Sequence, residues 1–452
     1  MRFSPILFIL VFIFPVISHG QIQAALPVGT AKDGSLTAVA YDWEAIGVNP
    51  SNLGWPVNHK LSFTILDVGG SGQSLGNSFP TFMKFVTSQT FISSSNNSQQ
   101  IMGVPRGMNV AVDINWFAVS FKIRKIPGAF AINMRDRIWG IGFLGPYVPL
   151  AVGNGENQVL SDGTTLALLQ STSLQYTHYR EINLDYGFPL FKFGSSPATA
   201  DNTQCFSFTG SGKGRKNNED GIYAGIGFKY IIGYANINAN VADSGINAIY
   251  NINSSYPEIP PPNGLFSGPG HGYAFDLGLS AIYRRWKFGL SATDLGSITW
   301  KEGFVTIHDT TIYQIRHGSD FWNELTNGAL AGSVPAPSYS TTLPEKLRAG
   351  VSFQWTPEFI VSGDFIYSLN TSPIGPNAMY GAVGAQIKVI PHVAIWTGFA
   401  TAQTYGWGIP LGFTFTVGKH IQFYTGTNDI SAFIRPRDVD VSLAVWVFRY
   451  NL

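Results

Sequence analysis

The sequence predicts an all-β protein, a transmembrane antiparallel β-barrel of about 14 strands. Three observations carry that expectation. Charged residues make up 12% of the 452 and aromatics 14%, with 33 Phe, 19 Tyr and 11 Trp; ordinary soluble domains carry about 25% charged residues. A wall that faces lipid needs no charge to stay dispersed and uses aromatics at its two interfaces. Secondly, no apolar run reaches the roughly 20 residues that a helix needs to cross a bilayer, so only a closed barrel could satisfy every backbone polar group in lipid. Thirdly, paired runs of alternating apolar and small or polar residues recur along the chain, separated by very short turns.

Residues 1–20 read as a secretory signal. Arg2 is the positive region, residues 6–17 the apolar core, and Ser18-His19-Gly20 a small-x-small site before Gln21. No Cys follows it, so no lipid anchor is expected. The expected organisation is residues 1–20 as signal peptide, 21–60 as an N-terminal segment and 61–452 as barrel, placed in the cell outer membrane. Cys205 is the sole cysteine, which excludes intrachain disulfides and cysteine-clustered metal sites. A net charge of +1 gives no sign of a nucleic-acid partner.

The strands follow in order. Residues 60–66 form a first candidate, and 67–106 read as a Gly-, Ser- and Asn-rich loop. Residues 107–124 and 129–139 are long strands joined across Ile126-Pro127-Gly128, a turn sequence. Residues 174–188 return to strand character; 195–220 are a polar loop with Lys213, Arg215 and Lys216; 221–234 and 235–251 read as two paired strands. The cleanest hairpin is 273–300. Phe275, Leu277, Leu279 and Tyr283 alternate with Asp276, Gly278, Ser280 and Ile282 before Arg284-Arg285 turn the chain into Trp286, Phe288 and Leu290. Residues 319–330 suggest a short helix and 335–342 an open loop. Hairpins then resume at 347–367, 381–401 and 411–426, before the closing strand at 438–450.

The N-terminal segment contains Y-D-W-E-A-I-G-V-N-P-S-N-L-G-W (41–55), in which Asp42 could cap a short helical turn and Asn49-Pro50 ends it. Ala45, Asn49, Pro50 and Leu53 resemble the A-x-x-x-NPA-x-L motif of FadL-type barrels and the related PorV-type barrels, with Ser51 where alanine is usual. D-L-G-S-I-T-W-K (294–301) and T-T-L-P-E-K-L-R-A-G (341–350) also look like stretches of FadL/PorV-like barrels. The resemblance implies that residues 21–60 form a hatch or plug within the barrel. It also implies passive transport of hydrophobic or small substrates across the outer membrane. In a PorV-like barrel the role would instead be that of a non-transporting scaffold docking a secretion or surface protein complex. A soluble secreted β-sandwich binding protein is the third expectation, disfavoured by the low charge. Outer-membrane lipid and a hydrophobic small-molecule ligand are the other partners expected.

No residue earns a catalytic, cofactor or metal assignment, and the protein is not expected to be an enzyme. The eight His are scattered. His308-Asp309 is the one adjacent pair of interest; on a strand its members would face opposite ways, so it could form a dyad only in a loop. Gly210-Ser211-Gly212-Lys213 lacks the Gly-Lys-Ser/Thr ending of a phosphate loop. Gly225-Ile226-Gly227 and Gly406-Trp407-Gly408 are strand glycines that admit neighbouring bulk.

The closing strand, D-V-D-V-S-L-A-V-W-V-F-R-Y, ends in Trp446, Phe448 and Tyr450. If these aromatics face lipid, Arg449 turns inward, as a charge prefers. The same parity would point Val439, Val441, Leu443, Val445 and Val447 inward as an apolar row, needing a hatch or a greasy ligand to cover it.

Overall fold

The computed structural model describes residues 27–32, 34–74, 106–144, 173–193, 220–242, 245–252, 266–301, 303–309, 334–372, 379–402, 406–433 and 439–452. The strands are β1 (Leu61–Ser74), β2 (Arg106–Phe121), β3 (Ala129–Leu144), β4 (Ser173–Lys192), β5 (Gly221–Ala242), β6 (Gly245–Ile252) and β7 (Gly270–Tyr283). They continue as β8 (Trp286–Trp300), β9 (Gly303–Asp309), β10 (Val334–Ala336), β11 (Tyr339–Thr342), β12 (Lys346–Thr356) and β13 (Phe359–Ser368). The last are β14 (Tyr380–Ile390), β15 (Val393–Ala402), β16 (Gly406–Gly408), β17 (Leu411–Val417), β18 (Ile421–Thr427) and β19 (Val439–Asn451). All pair antiparallel, and β1 pairs with both β2 and β19, so the sheet closes on itself. β5 pairs directly with β7, and β8 with β12, so β6, β9, β10 and β11 extend the wall locally; β16 and β17 share one wall position on β15. The wall is a closed barrel of 14 strands.

The alternation read from the sequence is the inside–outside alternation of this wall. On β7, Tyr273, Phe275, Leu277 and Leu279 are exposed, while Ala274, Asp276, Gly278 and Ser280 face inward and are buried. The turns after β2, β7, β12, β14 and β17 are short and share one end, which is the periplasmic end in barrels of this kind. Aromatics gather there: Phe130 stacks on Phe121 and Tyr186, Phe63 lies against Tyr450, and Trp286 against Phe353.

Several boundaries differ from the sequence reading. β1 runs on through Gly69-Gly70-Ser71-Gly72, because this stretch is paired on both sides, with β2 and β19; ladder hydrogen bonds override poor strand propensity. β5 is one continuous strand across Tyr234-Ala235, and 335–342 holds strand residues of β10 and β11 rather than open loop. The expected helix at 319–330, the basic cluster at 213–216 and the signal at 1–20 lie outside the described residues. The polar stretch 195–220 and the segment 319–342 join the wall at opposite ends: Lys192 pairs with Gly221 beside the short turn after β7, whereas Thr342 pairs near the far end of β8.

Candidate functional site

Residues 27–32 and 34–59 lie inside the ring of strands, and nearly every residue is buried. This inner segment has helix α1 (Pro27–Ala31) and two single 3-10 turns, Asp42–Ala45 and Pro50–Gly54. The second turn is built as its sequence suggests. Pro50 sits at the first helical position, where its missing N–H costs nothing, and Asn49 caps the turn, its Oδ1 accepting from Ser51 N at 3.2 Å. Ser51 Oγ donates to the same oxygen at 2.7 Å, which gives the serine at the usual alanine position a job. Asn52 Nδ2 donates to the carbonyls of Thr37 and Ala40, and Asn58 Nδ2 to those of Asn52 and Leu53. We expect Asn49→Ala to cost about 1 kcal/mol. Ser51→Ala should cost no more than that, because the Asn49–Ser51 backbone contact survives; the temperature at which the folded gel band is lost measures both.

Asp42 does not cap its turn. It sits at φ +55°, a left-handed conformation unusual for a residue other than glycine, and its carboxylate points elsewhere. Oδ1 accepts from His59 N at 2.8 Å, Oδ2 lies 2.6 Å from His59 Nδ1, and Oδ2 also accepts from Arg449 Nη2. Arg449 Nη1 donates to Glu44 Oε1 at 3.1 Å and Nε to Asn451 Oδ1 at 2.9 Å, and its guanidinium lies 4.1 Å from the Tyr41 ring centroid. Glu44 Oε2 accepts from Lys32 Nζ at 2.7 Å, and Lys32 lies over the Trp396 and Tyr424 rings. This wholly buried latch ties the inner segment to the closing strand.

Burial alone would raise the Asp42 carboxyl, but the Arg449 charge and the His59 hydrogen bonds outweigh it and hold Asp42 below its ordinary range. A carboxyl lowered on folding stabilises above its unfolded pKa of about 3.9 and loses that contribution as pH falls through the folded value. The part of the hydrogen-exchange protection of residues 34–58 that Asp42 supplies, corrected for intrinsic rate, should therefore be lost only below about pH 4.

The wall is shaped to receive the segment. Gly187, Gly225 and Gly278 are directly cross-strand, as are Gly289 with Gly350 and Gly412 with Gly426. A Cβ on Gly187 would lie 2.7 Å from Gly54 N, and one on Gly278 2.9 Å from Ser51 N. These glycines form a ledge on which the segment's backbone rests. Wall side chains satisfy its polar groups: Ser291 Oγ donates to Val48 O at 2.6 Å, Ser352 Oγ to Ala38 O at 3.0 Å, and Asp364 accepts from the N–H groups of Leu36 and Thr37. Leu36, Trp43, Ala45, Ile46, Val48 and Leu53 pack with Ala118, Ala131, Tyr424 and Val447 as a small core.

Beside this core the lumen carries buried charge. Glu181 pairs with Arg135 at 2.7 Å and Arg137 at 3.1 Å, Arg137 reaches Asp294 at 3.3 Å, and Lys229 bridges Asp276 (3.0 Å) and Asp294. Gly47, at φ +67°, rests on the Arg135 guanidinium. The cavity beside Trp43, Glu44, Asp113 and Arg135 measures only about 20 Å³, room for a single water. Among the described residues, no group of three or more His, Cys, Asp or Glu could hold a metal ion.

The residues singled out from sequence fall as follows. Ala45, Asn49, Pro50 and Leu53 are all buried in the inner segment. Arg449 is inward and fully buried, while Leu452 at the chain's end is exposed. The valine row is not continuous. Val447 faces inward at 1% exposure, but Leu443 is 47% exposed and Ala444, not Leu443, is buried. The cause is a β-bulge: Val68 pairs with Trp446 and Gly69 with Ala444, leaving Val445 extra, and an extra residue reverses the inside–outside parity. Asp67 Oδ1 accepts the Phe448 N–H beside it, at 3.1 Å. The side chains of Val439, Val441 and Val445 lie outside the described set. His308-Asp309 lies on strand β9 and not in a loop. Sequence reading missed Asp42 and Glu44 as partners of Arg449, and Lys32 as the other partner of Glu44, although two acids so close together are conspicuous in a charge-poor chain. The phrases at 294–301 and 341–350 meet in space: β8 pairs with β11, and Trp300 Nε1 donates to Thr341 Oγ1 at 2.8 Å.

Residues 56–428 match a family of unknown function, DUF5723. The chain belongs to the DUF5723 family. The match begins just after the Asn49-Pro50 motif. This DUF5723 barrel is similar to a solved TodX mutant, a monoaromatic hydrocarbon channel, with a TM-score of 0.50 at 10% identity over 97% of this chain and 100% of that one. The Ralstonia pickettii toluene transporter TbuX is similar at TM-score 0.46 and 12% identity, covering 95% of this chain and 99% of that one. A Pseudomonas aeruginosa FadL homologue is similar at 0.47 and 11%, covering 96% and 100%. No curated protein matches the sequence. At these identities the likeness is one of fold, a closed antiparallel β-barrel of 14 strands.

Proposed function

We propose that this DUF5723 barrel passes hydrophobic or small molecules passively across the outer membrane, with the inner segment as its hatch. One observation carries the reading: a single segment fills the described lumen, and it is held by polar contacts and glycine ledges rather than by strand pairing. Such a plug can leave without breaking the barrel's hydrogen-bond ladder. The monoaromatic hydrocarbon channel TodX shares the fold; a shared fold is analogy and sets only which substrates to try first. Apolar aromatics and long-chain amphiphiles should enter liposomes carrying the protein faster than empty ones, and faster still when residues 27–58 are deleted. No difference for any of them would sink the proposal.

A second reading has its own support. The inward face of the described wall carries the buried Asp113, Arg135, Glu181, Lys229, Asp276 and Asp294 and the partly buried Arg137, and not the apolar lining that a greasy ligand prefers. A barrel sealed by a charged network suits a scaffold that docks a partner protein. In that case gentle detergent extraction should bring out one stable partner at stoichiometric yield while uptake stays at the empty-liposome level.

A further inference from the structure

At the short-turn end a cleft of about 640 Å³ opens between the inner segment and the wall, lined by Trp55, Pro56, residues 122–124 and 126–128, Pro189, Lys192 and Tyr223. Its volume is that of a small-molecule site. Four of its side chains are basic, Lys60, Lys122, Arg124 and Lys192, and among the described residues no acidic one lines it. Lys122 is committed to the fold, since Nζ donates to Pro56 O and Asn58 O and so pins the turn to the segment. Lys60, Arg124 and Lys192 are exposed. Unlike charges inside the lumen meet as pairs; here charges of one sign line one cleft, which draws an anion to it.

The surroundings are apolar. Ile123 and Ile126 line the cleft, and Leu190, Phe191 and Phe193 flank Lys192, with Phe191 68% exposed. A soluble anion would use the cations and leave these side chains in water. An amphiphile with an acidic head and acyl chains would use both, and the interfacial depth of the turns puts the cations at headgroup level.

We propose that this cleft binds the phosphate-bearing head of an anionic phospholipid from the adjoining leaflet. Lys60, Arg124 and Lys192 contact the phosphate, and Ile123, Ile126 and Phe191 contact the upper acyl chains. The assignment holds whether or not the barrel transports.

The test is native mass spectrometry of the full-length protein in neutral detergent, with phosphatidylglycerol, phosphatidylcholine or inorganic phosphate added. Phosphatidylglycerol should be retained on the order of tenfold more than phosphatidylcholine, because each basic group near the surface adds a similar increment of attraction. The variant Lys60→Gln/Arg124→Gln/Lys192→Gln should lose that preference. Arg284→Gln/Lys388→Gln/Lys419→Gln, which removes equal charge elsewhere on the same rim, should keep it. Equal retention of the two lipids, or equal loss in both variants, overturns the site. Displacement of phosphatidylglycerol by millimolar inorganic phosphate overturns the lipid assignment in favour of a free-anion site. Heat-modifiable migration checks folding, and the single exposed change Lys192→Gln, which should weaken retention part-way, gives the answer if the triple variant does not fold.

Discussion

Arg449→Met should release the inner segment while leaving the barrel closed. The guanidinium is fully buried and is shared by Asp42 and Glu44 from the segment and Asn451 from its own strand. Removing it strands the Asp42 carboxylate in a dry interior with only His59 beside it, while Glu44 keeps Lys32. Breaking a buried pair from one side costs about 3–5 kcal/mol, more than a hundredfold in the seated-to-released ratio. The backbone ladder of β19 with β1 and β18 does not pass through the side chain, so the cost falls on the segment. Hydrogen exchange over residues 34–58 should accelerate on the order of a hundredfold, with wall amides unchanged. The double variant Asp42→Asn/Arg449→Met should recover most of the protection, because Glu44 keeps Lys32 and no carboxylate is left unpaired. Exchange unchanged in Arg449→Met would mean that apolar packing alone seats the segment. If the segment is a hatch, the same variant should raise uptake.

The second large effect is steric. Gly187→Val/Gly278→Val should unseat the residues around Asn49-Pro50 without harming the wall. A Cβ on Gly187 meets Gly54 N and Leu53 Cβ at 2.7 and 2.8 Å, and one on Gly278 meets Ser51 N and Pro50 Cδ at 2.9 and 3.0 Å. The backbone atoms among these cannot swing aside as a side-chain end can. Overpacking costs about 1–3 kcal/mol per site, and valine is otherwise well suited to a strand. Gly363→Val is the matched control, since its nearest neighbours would be a carbonyl 3.6 Å away and a side-chain carbon at 3.9 Å. The double variant should expose the Leu53 region to protease while the control does not. Equal protease resistance would show that the ledge is not what positions the segment.

Much of the wall was legible because lipid on one side and a filled lumen on the other force a period of two. Tyr273 to Leu279 and Trp286 to Leu290 display it without interruption, and the inward turn of Arg449 follows from the same parity. Legibility failed where pairing, not side-chain pattern, makes the strand. Residues 67–74 hold Gly, Ser and Gln that no propensity would extend, yet β2 and β19 hold them from both sides. It failed again at Val445, where one bulged residue leaves Ala444 inward and Leu443 exposed.

By itself the sequence determined the architecture: low charge, aromatic-rich alternating hairpins and no helical span leave a closed barrel as the form that satisfies its backbone in lipid. It also marked Asn49-Pro50 as a turn and Arg449 as an inward charge. Only the tertiary structure decided what those features meet. Asp42 and Glu44 lie some 400 residues from Arg449, and the glycines of the ledge lie on separate strands across the wall. Contacts at such separations carry no local periodicity, because closing the barrel, not the run of neighbouring residues, brings them together.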